Sequence, residues 1–320
     1  MSAYLARRGF HALIVLAVMS FLIYTLMGLM PGDPIDIMLS SEPDMTTEDA
    51  ARLRALYGLD QPLVARYLNW LSALLSGDPG YSRLHGQPVF DVIGPAVLNT
   101  AKLIGAAFVL AAAIGVGLGL VAGAMPRSLR DYAINIIAFA GISVPPFWVA
   151  LLLILVFAVA LGWLPAGGMN LDGTLGGELR HLALPVLALT VASVGGYTRY
   201  TRAAVIEAMR QDYIRTARAK GLNGFQVVVG HAMRNAMIPV VTLMALDVGT
   251  LFSGALITET VFAYPGMGKL IFDAIMGNDF NLALVALLLA TFMTLAGNLL
   301  GDLGYVALDP RVRLDEGTGR

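Results

Sequence analysis

The chain has 320 residues, of which 57% are hydrophobic and 13% charged, with a formal net charge of −1 and a mean hydropathy of +0.73. Soluble domains carry about 25% charged residues, so this composition excludes an ordinary water-soluble surface, and the near-neutral balance excludes the broad basic field of a nucleic-acid binder. The absence of cysteine excludes disulfides, thiolate metal sites and cysteine nucleophiles.

A membrane span needs roughly 20 predominantly apolar residues, and six segments meet that condition. The first runs from Phe10 to Met30 behind Arg7 and Arg8. Its apolar run is too long for a signal-peptide core, so it reads as a retained helix. The next two cover about Thr100 to Ala124 and about Tyr132 to Leu161. Pro145 and Pro146 fall inside the latter and predict a kink, since neither nitrogen can donate a helix hydrogen bond. A kink of this kind either lines a cavity or only sets shape. The fourth span runs from about His181 to Arg199, the fifth from Ile238 to about Thr258 with Pro239 at its opening, and the sixth from about Leu282 to Val306.

With the N-terminus placed inside, the inner loops hold twice as many lysines and arginines as the outer ones. That bias predicts both termini on the cytoplasmic side. The fold class expected is all-α, a polytopic membrane protein with about six transmembrane helices. The long outer segment between the first two spans predicts two short helices. Thr46 is placed to cap the first, which ends at Gly58. Asp60 is placed to cap the second, with Pro62 in its first turn, an apolar face from Leu63 to Leu75, and Gly77 at its end. These helices either pack on the bundle or dock a partner.

Inside the bilayer, helices associate through small residues. Gly115, Gly119 and Gly123 recur every fourth residue, as do Gly297 and Gly301, which suits packing within this chain or against a second subunit. Asp247 lies about 14 Å into the fifth span, where an ionised carboxylate costs a few kcal/mol unless paired or solvated. It either faces a translocation path and meets a cationic group of a substrate, or pairs with a hydroxyl or amide on a neighbouring helix. Asp302 reads as interfacial.

The loop from Arg199 to Arg234 is the longest inner one. Tyr213 to Lys220 predicts a short basic helix ended by Gly221, followed by a turn at Asn223-Gly224 and an amphipathic piece, Phe225 to Arg234. Charge alone fits either a helix resting on anionic headgroups or an element that passes force from a cytoplasmic partner into the bundle.

Tyr213-Ile214-Arg215-Thr216-Ala217-Arg218-Ala219-Lys220-Gly221-Leu222, followed by His231-Ala232-Met233-Arg234-Asn235-Ala236 and Pro239, resembles the coupling loop of the oligopeptide/dipeptide/nickel family of ABC importer permeases. Other stretches resemble the same family in order: Pro31-Gly32-Asp33-Pro34, Tyr57-Gly58-Leu59-Asp60-Gln61-Pro62, Ser143-Val144-Pro145-Pro146-Phe147-Trp148, Leu161-Gly162-Trp163-Leu164-Pro165, Glu259-Thr260-Val261-Phe262, Tyr264-Pro265-Gly266-Met267-Gly268 and Leu308-Asp309-Pro310-Arg311-Val312-Arg313. The likeness covers nearly the whole chain. Its long first outer segment is similar to that of the family's first, B-type permease. The wider importer class has a Glu-Ala-Ala…Gly pattern here; this chain has Arg215-Thr216-Ala217…Gly221, without the glutamate.

The resemblance implies the type I ABC importer fold and a multi-pass protein of the bacterial inner membrane. It implies four partners: a second permease, two ATP-binding subunits and an extracytoplasmic substrate-binding protein. Arg215, Thr216, Ala217, Arg218, Lys220, Gly221 and Leu222 are expected to couple to the ATPase. Asp247 stands where the family is expected to have an uncharged residue, so no family role is carried onto it; on its own chemistry it is, with Pro145 and Pro146, a candidate for the translocation path. Peptides are the leading substrate, with nickel, glutathione or opines as alternatives. The expected organisation is a tail and first span over residues 1–30, an outer helical segment over 31–96, a permease core over 97–306 containing the coupling loop 200–236, and an inner tail over 307–320.

No catalytic residue is expected. Gly266-Met267-Gly268-Lys269-Leu270 lacks the spacing and the Ser/Thr of a P-loop, and His11, His85, His181 and His231 have no metal-ligand spacing. ATP and magnesium are therefore expected on partner subunits, with no cofactor in this chain. Asp247 and the Pro145-Pro146 break also suit an ion-coupled secondary transporter, and a membrane scaffold without transport is a third class.

Overall fold

A computed structural model describes residues 2–29, 61–170 and 172–308. The helices predicted around Thr46 and capped by Asp60 therefore fall wholly or partly outside the described residues. Among the described residues, five helices are long and apolar enough to cross a membrane, namely Ala6–Gly28, Val89–Ala124, Leu175–Ala208, Gly224–Ala245 and Phe280–Gly304. A sixth crossing is made if the pair Leu129–Ser143 and Pro146–Ala160, bent by 100°, is one span. Only 22–33% of each of the five spans' most apolar stretches is buried within the chain, which leaves broad apolar faces for lipid or other subunits. The described residues divide into two compact units, one formed by those within 2–97 and 270–292, the other by those within 98–269 and 293–308.

In the first unit, α1 (Ser2–Gly28) receives α2 (Leu63–Leu75). Pro62 occupies the cap of α2 rather than its first turn, and Gly77, at φ +91°, ends it in the left-handed conformation that glycine adopts freely. The contact is aromatic and polar. Tyr67 is buried; its hydroxyl lies 2.8 Å from Ser20 Oγ, and its ring stands edge-on to Phe21 and Tyr24, with centroids 5.1 and 5.6 Å away. Such pairs add about 0.5–1.5 kcal/mol each beyond area burial. The loop after α2 is held by Asp279, which accepts from Ser82 Oγ at 2.5 Å and from the Leu84 N–H at 3.0 Å.

The second unit is built around one long helix. Ahead of it in the chain come α3 (Val89–Ala124), α4 (Leu129–Ser143) and α5 (Pro146–Leu153). Beyond α5 the chain continues in π-helical pairing through Ile154–Ala160. Next comes α6 (Leu175–Ala208), 34 residues long and capped by Thr174, whose hydroxyl accepts the Gly177 N–H at 3.2 Å. Gly115, Gly119 and Gly123 of α3 meet α6 so closely that a methyl group on them would lie 2.5–2.7 Å from the side chains of Tyr197, Thr201 and Val205. The glycine ladder thus packs within this chain. On another side of α6, a methyl on Gly195 would come within 2.3 Å of the Ala138 carbonyl of α4.

One expectation holds and one is corrected. The Pro145-Pro146 pair bends the third span as expected: α4 ends at Ser143, Val144 turns extended (φ −88°, ψ 128°), and α5 restarts at Pro146 at 100° to it. A residue before proline is driven out of the helical region, and the following proline suits a helix start. Pro239 does not open the fifth span. It lies inside α9 (Met233–Val261), itself preceded by α8 (Gly224–Val227) and π-helical pairing over Val228–Ala232. Burial of Ala232, Ala236 and Val240 on one face holds the helix through the proline. The described residues end with α10 (Met267–Met276) and α11 (Phe280–Leu308).

Candidate functional site

The inner loop forms a compact knuckle at the end of α6. After Ala208 the chain turns through three residues into α7 (Asp212–Ala219). Ile214 and Ala217, three residues apart and so on one face, are buried among Val205, Ala208, Val227, Ala232 and Ala236, with Leu222 packed against the group. The opposite face is exposed and carries Arg215, Thr216, Arg218 and Lys220. Of the seven residues singled out from sequence, then, four face outward, Ala217 and Leu222 face the chain's own core, and Gly221 forms the end. Gly221 has φ +83° and donates its N–H to the Arg218 carbonyl at 3.0 Å, the left-handed closure that a side chain opposes by about 1–2 kcal/mol.

Asn223 does not sit in a free turn. Its side chain accepts the Gln226 N–H at 2.9 Å while Gln226 accepts the Asn223 N–H at 3.1 Å, a reciprocal capping box that starts α8. From there helix runs without interruption into α9, so α7 is tied directly to two spans. Phe225, on α8, is 76% exposed.

One turn above the knuckle lies an ion pair that sequence reading missed, its carboxylate buried and its guanidinium partly exposed. Asp131 of α4 is 2% exposed and accepts from Arg202 of α6 at 2.6 Å (Nε to Oδ1) and 2.8 Å (Nη2 to Oδ2). The Arg127 N–H and the Asn135 amide complete its shell at 2.8 and 2.7 Å. The bidentate fork is the strongest geometry open to these groups, and the first turn of α4 favours the anion. The two residues are 71 apart in sequence; the only local signal is an aspartate three residues after the capping Ser128.

Asp247 lies on α9, half-buried, and shares a hydrogen bond with the Tyr197 hydroxyl of α6. Tyr197 itself is buried with Val240 and Met244. Pro145 and Pro146 are exposed at the corner between α4 and α5. These three residues do not meet the knuckle residues in one cluster.

The motif near the chain's end has a structural basis of its own. Glu259 is fully buried. It accepts Thr100 Oγ1 at 2.5 Å and the N–H groups of Gly268 and Lys269 at 2.7 and 3.1 Å, so the carboxylate closes the N-terminus of α10. A methyl on Gly266 would strike the Glu259 carboxyl at 2.2 Å, and one on Gly268 the Leu256 Cα at 2.4 Å. Burial, with Glu178 and Glu259 nearby, pushes the Tyr264 phenol up to about 12, so it stays protonated and donates to the Asn99 carbonyl at 3.3 Å. Among the described residues no group of three or more His, Asp or Glu is placed to hold a metal ion.

A family model described as binding-protein-dependent transport system inner membrane component matches residues 115–314, and one described as the N-terminal part of such a membrane component matches residues 1–94. The chain is 35% identical to an oligopeptide transport system permease protein, AppB, of Bacillus subtilis over 98% of this chain and 99% of that one. It is 39% identical to a putative peptide permease protein of Brucella ovis over 98% and 100%, and 36% identical to a di/tripeptide transport system permease protein, DppB, of Pseudomonas aeruginosa over 92% and 94%.

Proposed function

Because the chain belongs to the family of binding-protein-dependent transport system inner membrane components, we propose that it imports peptides as one permease of an ATP-driven complex in the inner membrane. The observation that carries this reading is the knuckle itself. A short helix is anchored inward by Ile214 and Ala217, presents Arg215, Thr216, Arg218 and Lys220 outward, and is joined at both ends to spans. An element so mounted passes a push from a cytoplasmic partner into α6 and α9 together. The names of the full-length relatives, which speak of peptide transport, support peptides over nickel, glutathione or opines.

In this reading a second permease completes the path, two ATP-binding subunits hold ATP and magnesium and hydrolyse the nucleotide, and an extracytoplasmic binding protein delivers substrate. ATP-driven closure shifts the population between inward- and outward-open forms. Asp247, Pro145 and Pro146 belong to the translocation path. The half-exposed Asp247 carboxylate and the exposed proline corner support that placement.

The test is to purify the tagged chain in mild detergent, identify its companions by mass spectrometry, and measure ATP-dependent uptake of labelled di- to pentapeptides in proteoliposomes. Recovery of a second permease with ATPases, and uptake that needs both ATP and the binding protein, is the expected result. Recovery of this chain alone, with uptake driven by an ion gradient, would overturn it in favour of an ion-coupled transporter.

A further inference from the structure

We propose that the Asp131–Arg202 pair is a positioning element for energy coupling. It makes α4 follow the coupling helix α7, so that the broken third span moves with the ATPases. The inference rests on the importer reading above.

The geometry forms a continuous rigid path. Force on α7 enters the apolar group of Ile214, Ala217, Val205 and Ala208. Val205 lies on α6 only three residues past Arg202, so the force reaches the guanidinium within one turn. Arg202 grips Asp131 through two short bonds, and Arg127 and Asn135 hold the same carboxylate from its own chain segment. With both oxygens fully engaged and 2% exposure, the carboxylate cannot swing aside without losing several charge-assisted bonds at once. From Asp131, α4 runs about 18 Å to Ser143 and stops at the 100° corner. Gly115, Gly119 and Gly123 bring α3 onto the same stretch of α6, which prevents α6 from bending away under load. Apolar contact alone would let α4 slide along α6; a forked ion pair fixes its register.

Since the chain has no cysteine, introduced cysteines at Ile137 and Gln211, both exposed, take spin labels uniquely within it. The complex would be reconstituted with its partner subunits and studied as wild type, Arg202→Lys and Arg202→Met. Two quantities are read: peptide transported per ATP hydrolysed, and the label-to-label distance without nucleotide and with ATP trapped.

The expected result is an unchanged distance between the two states in the wild type. Arg202→Met should lower transport per ATP at least tenfold and make the distance state-dependent, while Arg202→Lys, which keeps the charge but loses the fork, should lower it a few-fold. A distance that changes in the wild type, or an unaltered ratio in Arg202→Met, overturns the proposal. If Arg202→Met fails to assemble, an unaltered ratio in Arg202→Lys overturns it equally. Wild-type complex that shows no ATP-driven uptake would instead refute the importer reading on which the proposal stands.

Discussion

Replacing Gly119 by alanine is the sharpest probe of the packing around α6. The added methyl would lie 2.5 Å from Thr201 Cβ, 2.7 Å from the Thr198 carbonyl oxygen and 2.9 Å from Thr201 Cγ2. Two of those atoms are fixed to the backbone and cannot rotate away. Opening the closest approach to the 3.4 Å of ordinary contact parts the helices by roughly 0.9 Å, a gap that forfeits a quarter to a half of each dispersion contact along the seam. Overpacking of this kind costs about 1–3 kcal/mol, against a gain of about 1 kcal/mol from replacing glycine in a helix. Gly117, two residues away on the same helix, has nothing within 4 Å of an added methyl, so Gly117→Ala should only gain. Reversible unfolding in mixed detergent, followed by ellipticity, should therefore separate the two variants by about 2 kcal/mol, with Gly119→Ala the less stable. Equal stabilities would refute the claim that the glycine ladder is a close backbone seam within the chain.

Other outcomes follow from the same geometry. Gly221→Val should leave ATP hydrolysis running while transport falls, because the branched side chain opposes φ +83°; Gly221→Asn, which tolerates that conformation, should transport near normally, and equal behaviour of the two in the uptake assay would count against the closure. Glu259→Ala strips the partners from Thr100 and from two N–H groups and should cost about 3 kcal/mol in the same unfolding assay. Asn223→Ala breaks the capping box and should cost about 1 kcal/mol, seen as faster proteolysis of the inner loop. Asp247→Asn keeps a partner for the Tyr197 hydroxyl but removes the charge, and should reduce uptake of peptides with a free amino terminus; undiminished uptake would remove Asp247 from the path.

The spans were legible because the bilayer demands length and apolarity in one continuous stretch, which a hydropathy reading detects. Their ends were less so. Thr198, Arg199, Thr201 and Arg202 interrupt the apolar run that ends the predicted fourth span, yet α6 continues to Ala208, since polarity ends a membrane crossing without ending a helix. The basic helix from Tyr213 to Lys220 and its closing Gly221 were read from local pattern, whereas the coupling set Arg215, Thr216, Arg218 and Lys220 came from the family resemblance. The inward turn of Ala217 and Leu222 depends on what packs beneath, chiefly Val205 and Ala236, and no local pattern carries that. Asp131 with Arg202, Tyr197 with Asp247, and Glu259 with Thr100 each join distant segments. Their partners are chosen by the fold, so a single sequence shows each residue without its mate.

The Glu259 clamp also decides where this chain will accept foreign sequence. Residues 259–269 form a noncovalent ring, closed by one carboxylate on two backbone N–H groups and tied to the loop before α6 by the Gly168 N–H on the Phe262 carbonyl at 2.8 Å. A peptide tag spliced into that stretch would have to open the ring, and α10 would lose its seat. Gly173, at φ +66° with nothing within 4 Å, lies instead in a short exposed loop held by the Asn170 side chain, which donates to the Thr174 carbonyl at 3.0 Å and accepts the Asp172 N–H at 3.3 Å. An epitope inserted there would be carried at an open turn ahead of α6, giving a handle on the opposite side of the membrane from the knuckle by which the sidedness of reconstituted vesicles can be scored.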